Sequence, residues 1–363
     1  MMQRFADGSP TRDVADATRR GVVSVEFLRE ILVIMGIVLL VVQCLSGLGA
    51  KSGALENDQQ AAAQQSNEEP IYRLSAVNDG TVWMLKSNHQ VIRVNLATGE
   101  EFERVDLQGR GAGAVAFSTD GKSAIILGLN QEFLVIRNGE VTSISPPNKR
   151  GLGTEVAMTT DGQLAASIHE IGMLRLYDCR SSAVKTTSIT VDNGPTVVRF
   201  SPDDKQLVVA NASGKLSFHH PVTGEQTQEL RLPGIDRITG LAWSPDSSQI
   251  AIGDGRGYVA LVAVNSLKVI AQRRVASLQA ASLCFSPNGA TIAIGSFDPQ
   301  VRVVSSQDLE LLESLPGHES LVRSMIYLPT GELATGGLDG RIKLSRPKVH
   351  QLLEEALAQN SSL

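Results

Sequence analysis

The six histidines, His89, His169, His219, His220, His318 and His350, are the side chains of this 363-residue chain best suited to metal ligation or proton transfer. Either role needs several of them to converge, and their linear spacing shows no such convergence. His219 and His220 are the sharpest pair, yet neighbours on a strand point to opposite faces. "GRGAG" (109–113) and "GDGRG" (253–257) resemble phosphate-cradling loops. Neither carries the P-loop lysine or forms a strand-to-helix turn, so both read as ordinary turns. Asp120, Asp161, Asp203 and Asp246 stand in recurring turn phrases without a clustered calcium-ligand loop, and read as turn caps. There is no Gly-x-Ser-x-Gly elbow and no cysteine with an evident histidine partner. Cys44, Cys179 and Cys284 lack metal spacing, and the latter two read as packed thiols. No catalytic residue, metal or cofactor is expected.

Bulk composition narrows the partners. With 42% hydrophobic and 20% charged residues the chain has enough interior for one large domain or two ordinary ones. A formal net charge of -5 with no block of Lys or Arg argues against nucleic acid. Only 4% of residues are aromatic, leaving few platforms on which bases or sugars stack.

The elements that must position any site follow from an internal period. A large apolar residue precedes each turn phrase: Phe117 (STDG), Met158 (TTDG), Phe200 (SPDD), Trp243 (SPDS), Phe285 (SPNG) and Tyr327 (LPTG), at separations of 41, 42, 43, 42 and 42 residues. Counting 41 back from Phe117 reaches Ala76, where "VNDG" and "TVWMLKS" supply a seventh copy. Two residues before each of these stands another apolar side chain, Leu74, Val115, Val156, Val198, Leu241, Leu283 or Met325, which is the alternation of a strand with one packed face. A second strand follows each turn, as in "QLVVAN" and "TIAIGS", apolar throughout as a strand buried on both faces should be. A third ("VALVAV") and a less regular fourth ("KVIAQRR") complete a four-stranded meander.

Four-stranded units at this period are expected for propeller blades, which protect sheet edges by closing into a ring. Residues 71–347 resemble a WD-repeat (WD40-like) β-propeller, most clearly in "SPDDKQLVVA", "SPDSSQIAIG", "SPNGATIAIG" and "GHESLVRSMIYLPTGELATGGLDGRIKLSR". The resemblance implies an all-β, seven-bladed ring that scaffolds protein partners. It also implies a structural network of His, Asp, a strand hydroxyl and Trp within a blade. Gly317-His318 and Asp339-Gly340 match that pattern, but the Trp-Asp pair survives only as Tyr177-Asp178, and Ser345-Arg346 replace it in the last unit. No unit has the full set. For ring closure, "KVHQLLEEAL" (348–357) is either the fourth strand of the last blade or a helix with Val349, Leu352, Leu353, Ala356 and Leu357 on one face.

Ahead of the repeats, residues 31–50 are 20 uncharged and largely apolar residues, long enough at about 1.5 Å per residue to cross a hydrocarbon core of roughly 30 Å. The 30-residue leader favours a retained signal anchor over a cleaved signal, and Gln43 disfavours lipid attachment at Cys44. Arg19, Arg20 and Arg29 upstream, against Lys51 downstream, place the N-terminus in the cytoplasm and the propeller on the extracytoplasmic side. Residues 51–70 form a polar tether.

Within the ring, the position three before each turn-preceding residue belongs to the innermost strand: Ala114, Glu155, Val197, Gly240, Ser282 and Ser324. Most are small and uncharged, with Glu155 the exception, so the axis is expected to offer little acid–base chemistry. The loops leading into the innermost strands carry Arg110, Lys149, Arg150, Arg237 and Arg323 with Asp236 and Glu319. Arg110, Arg150, Arg237, His318 and Arg323 are the expected partner-binding residues, since Arg is enriched at interfaces. The expected function is a membrane-anchored, non-catalytic interaction scaffold. The alternatives are an extracytoplasmic propeller enzyme or cofactor binder of the quinoprotein or lactonase-like kind, and a sensor whose small ligand occupies the channel.

Overall fold

A computed structural model describes residues 69–105, 107, 112–128, 132–144, 153–180, 185–191, 194–298 and 300–349. The chain divides into two units, residues 1–64 and 65–363, and the described residues all belong to the second. The anchor expected at 31–50, nearly all of the tether, Arg110, Lys149, Arg150 and residues 350–363 lie outside the described residues. Among the described residues no helix is long and apolar enough to cross a membrane.

Among the described residues seven antiparallel meanders follow one another along the chain, six of four strands and the last of three. Their innermost strands are Ile71–Ala76, Ala112–Phe117, Gly153–Met158, Pro195–Phe200, Ile238–Trp243, Ala280–Phe285 and Val322–Tyr327. The second strands are the most buried, as their uniformly apolar sequences require; every residue of Leu207–Asn211 and Thr291–Ser296 is enclosed. Outer strands such as Gln226–Arg231 face solvent along most of their length.

The core lies between blades rather than within them. Seven apolar clusters fill seven blade-to-blade interfaces, and one of them joins Ile71, Leu74, Val82 and Met84 of the first blade to Leu328 and Ala334 at the last. The ring is therefore closed. Leu74 N donates to Ser324 Oγ at 2.9 Å across the same seam. The chain takes helical geometry at Lys348 and Val349, and among the described residues the last blade has no fourth strand.

The recurring turn phrase has a single hydrogen-bonding plan. Ser244 Oγ donates to Asp246 Oδ1 at 2.6 Å and accepts from Gln249 N at 2.9 Å, while Asp246 Oδ1 also accepts from Ser248 N at 3.0 Å. Ser118–Asp120, Thr159–Asp161, Ser201–Asp203 and Ser286–Asn288 repeat it. The side chains satisfy backbone donors that the tight turn leaves unpaired, so these Asp and Asn residues are turn caps.

Each innermost strand also carries a β-bulge near its start, which leaves Tyr72, Gly113, Thr154, Thr196, Thr239, Ala281 and Arg323 without a cross-strand partner in the seven blades. Where the extra residue is Thr, its hydroxyl donates to a second-strand carbonyl, as Thr196 Oγ1 does to Ala210 O at 3.3 Å. Bulges of this kind re-aim side chains at the rim of a closed sheet.

Candidate functional site

The seven innermost strands enclose a central channel of about 280 Å³, to which every blade contributes lining residues. The expectation of a small, uncharged axis is corrected here, because Arg73, Arg199 and Arg323 all line it. Each arrives by a different route. Arg73 occupies in the first blade the position that Glu155 occupies in the third, both three residues before the end of their innermost strands. Arg199 lies two residues later in phase, on the same side of a strand of period two. Arg323 is the bulge residue of the seventh blade, so it sits inside a strand rather than in the preceding loop.

Glu155 organises one side of the channel. Arg199 Nη1 donates to Glu155 Oε1 at 2.6 Å and to its own neighbour's carbonyl, Val198 O, also at 2.6 Å. Val198 N donates to Glu155 Oε2 at 3.1 Å. Arg73 Nη1 stands 4.0 Å from Glu155 Oε1, with its side chain 36% exposed to the channel. Across the seam between the last and first blades, the Arg323 guanidinium lies 5.9 Å from the centre of the Tyr72 ring, a cation–π contact.

Three guanidinium groups thus face one carboxylate. Burial, followed by the charge of Arg199, pulls the Arg73 guanidinium down to about 10 despite Glu155. Burial also lowers Arg323, while Tyr72 is raised by burial against the opposing pull of Arg323. Such a site is equipped to hold an anion. Its carboxylate is already tied to a guanidinium and a backbone amide, which leaves it poorly placed to act as a base.

The other sequence candidates fall into structural roles. His318 is enclosed, with Nδ1 2.8 Å from Asp339 Oδ1 and Nε2 2.9 Å from Thr335 Oγ1. The last blade therefore assembles three members of the His–Asp–hydroxyl–Trp network, with Lys343 opposite Thr335. In the third blade Ser167 Oγ lies 3.0 Å from both His169 Nε2 and Tyr177 Oη, so Tyr177 meets a histidine that comes from the second strand. His219 is buried, bonded to Gly224 O at 2.9 Å and Ser217 Oγ at 2.9 Å, whereas His220 is exposed; the two do diverge. Burial lowers His219. Burial likewise raises the Cys179 thiol to about 11 and pushes Cys284 up further, so both stay protonated near neutrality. Among the described residues no three His, Cys, Asp or Glu side chains are placed to share a metal ion.

Arg237 lies half-buried in the loop before the fifth innermost strand, its carbonyl accepting from Gly255 N at 3.0 Å. In a four-stranded meander this loop and the turn between second and third strands emerge at the same end. That end carries Arg256–Asp236 at 3.2 Å and Arg341–Glu319 at 3.6 Å, together with exposed Ile171 and Leu278. Arg323 and His318 are withdrawn from it, the first into the channel and the second into the turn network.

The family model described as WD domain, G-beta repeat matches residues 275–305 and 309–344. The second match begins with the outer strand of the sixth blade, Leu311–Leu315, and continues through the three strands of the seventh, so the sequence repeat straddles two blades and ties them covalently. Among curated proteins the chain is similar to a periodic tryptophan protein 2 homolog from Caenorhabditis elegans, at 24% identity over 57% of this chain and 23% of that one. It is also similar to WD repeat-containing protein SL1-17 from Schistosoma mansoni, at 26% identity over 43% of this chain and 52% of the other. Actin-interacting protein 1-2 from Arabidopsis thaliana is 28% identical over 32% of this chain and 19% of its own length. The matched stretches span about half or less of each of these relatives. Matched repeats and WD-repeat relatives support a WD-repeat β-propeller, and the described residues form a closed ring of seven blades.

Proposed function

We propose that this propeller is a non-catalytic platform for protein partners, held at a membrane by residues 31–50 with its ring on the extracytoplasmic side. The observation that carries the partner reading is the loop end of the ring, where ion pairs Arg256–Asp236 and Arg341–Glu319 brace neighbouring turns and leave Arg237, Ile171 and Leu278 accessible on rigid supports. Propellers of this family typically bind proteins, and a surface mixing Arg with isolated apolar side chains suits that use. The membrane reading is supported by the uncharged stretch at 31–50 and by Arg19, Arg20 and Arg29 on its upstream flank.

Crosslinking and mass spectrometry on native membranes, comparing the wild-type chain with Arg237→Glu and Ile171→Asp, test the surface. The expected result is loss of the same crosslinked proteins from both variants; an unchanged set overturns the reading. Anchoring is tested separately: the full chain should resist alkaline extraction and its ring should resist protease in sealed inside-out vesicles. Release by alkali, or digestion of the ring in such vesicles, overturns that part.

A further inference from the structure

We propose that the central channel is a binding site for a compact dianion, inorganic phosphate or a phosphomonoester. Three side chains argue for it. Arg73 and Arg323 approach from the adjacent first and seventh blades, and Arg199 from the fourth, which lies opposite them in a seven-membered ring. A ligand on the axis is therefore met by guanidinium groups from both sides. Glu155 cancels one of the three charges, leaving two positive charges in a cavity of about 280 Å³ whose lining also includes Ser75, Ser282 and Ser324.

The charges of Arg199 and Arg323 act against that of Arg73, and this repulsion persists unless an anion joins them. A dianion restores neutrality. The volume sits near the lower bound of small-molecule pockets, which suits a ligand of modest size. Guanidinium forks match phosphate oxygens two at a time, and a tetrahedral oxyanion presents oxygens in several directions where a single carboxylate serves one fork. Ser324 Oγ accepts from Leu74 N and keeps its own proton to donate, while Ser282 adds a second hydroxyl to the lining. Burial and mutual repulsion already disfavour the charged form of Arg73, a penalty that a bound anion relieves. This site lies inside the ring, apart from the loop end proposed for protein partners.

Calorimetric titration of the full chain in detergent, at constant ionic strength, provides the test. Inorganic phosphate is expected to bind one to one, with affinity lowered about 10-fold or more by Arg73→Met and by Arg323→Met, and unchanged by Arg237→Glu. Glycerol 3-phosphate in parallel distinguishes the ester from the free ion by which binds more tightly. Ser282→Glu places a carboxylate in the channel and is expected to abolish phosphate binding without lowering the urea midpoint. The proposal is overturned if phosphate binds no better than chloride, if succinate binds more tightly than either phosphate compound, or if Ser282→Glu folds normally and retains full affinity.

Discussion

Arg199 Nη1 lies 2.6 Å from Glu155 Oε1 across the boundary between the third and fourth blades, and this ion pair is the point where the channel's excess of positive charge is partly balanced. Both side chains are about a fifth exposed, so water moderates the attraction without removing it. Glu155→Gln leaves three guanidinium groups without a counter-charge and should lower unfolding stability by about 2–3 kcal/mol in urea titration. Adding Arg199→Met should recover part of the loss, with a coupling of about 1–2 kcal/mol in the double-mutant cycle. Strict additivity of the two changes would show that the pair does not act as one.

Arg73 behaves oppositely. Its guanidinium is held below its ordinary value by burial and then by Arg199, so carrying its charge costs stability in the absence of a ligand. Arg73→Met should leave the ligand-free protein as stable as wild type or more so, and should show a smaller gain in melting temperature on raising salt than the gain expected of wild type. A marked fall in stability would mean that Arg73 serves mainly as a structural contact.

The capped turns predict a pH dependence. Asp246 is lowered first by its bond from Ser244 and then by the amide and hydroxyl of Ser248. Its folded value lies below the unfolded one, so its contribution is fully present above the ordinary carboxylate range and is lost as pH falls through the folded value. Asp246→Ala should cost about 1 kcal/mol at neutral pH and almost nothing at the acid end of the titration. Equal destabilisation at both ends would refute the capping role.

The last blade relies on His318, Asp339 and Thr335. Asp339→Ala removes the acceptor for His318 Nδ1 and for the amides of Glu319 and Arg341, and should cost about 2 kcal/mol. The consequence should be local: hydrogen exchange of Leu333–Gly337 should accelerate before that of Leu207–Asn211, half a ring away. Uniform acceleration around the ring would instead indicate a single cooperative unit.

Two glycines with the same backbone conformation should respond differently to alanine. Gly80 (φ +83°) and Gly257 (φ +84°) both occupy the left-handed region, but a Cβ on Gly80 meets nothing within 4 Å, whereas one on Gly257 falls 2.2 Å from Ala276 O. Gly80→Ala should cost about 1 kcal/mol from conformation alone, and Gly257→Ala more than about 3 kcal/mol as the following loop is displaced. Equal costs, read from urea midpoints, would mean that the loop yields freely.

Much of the ring was legible without coordinates. The 41 to 43-residue period located all seven blades, and the apolar positions Leu74, Val115, Val156, Val198, Leu241, Leu283 and Met325 are all buried. The Ser-Pro-Asp phrases are turns, as their composition implies, because Ser and Asp side chains bond locally to the backbone amides of the same turn. The channel was harder to see. Glu155 stood out as the charged exception in its phase, and the same phase in the first blade points to Arg73. Sequence alone places Arg323 in a loop, and only the bulge between Val322 and Ser324 shows why it turns inward.

Local chemistry is therefore what the amino-acid order by itself determined: strand alternation, turn capping and the repeat are properties of neighbours along the chain. Tertiary structure decided which charges meet. Arg73, Glu155, Arg199 and Arg323 are separated by 82, 44 and 124 residues in sequence, and they share one channel only because seven blades close into a ring and bring every innermost strand to a common axis. A period encodes how many blades there are, but the side chain that each blade places at the axis depends on strand phase and bulge position, which are settled only when the strands pair.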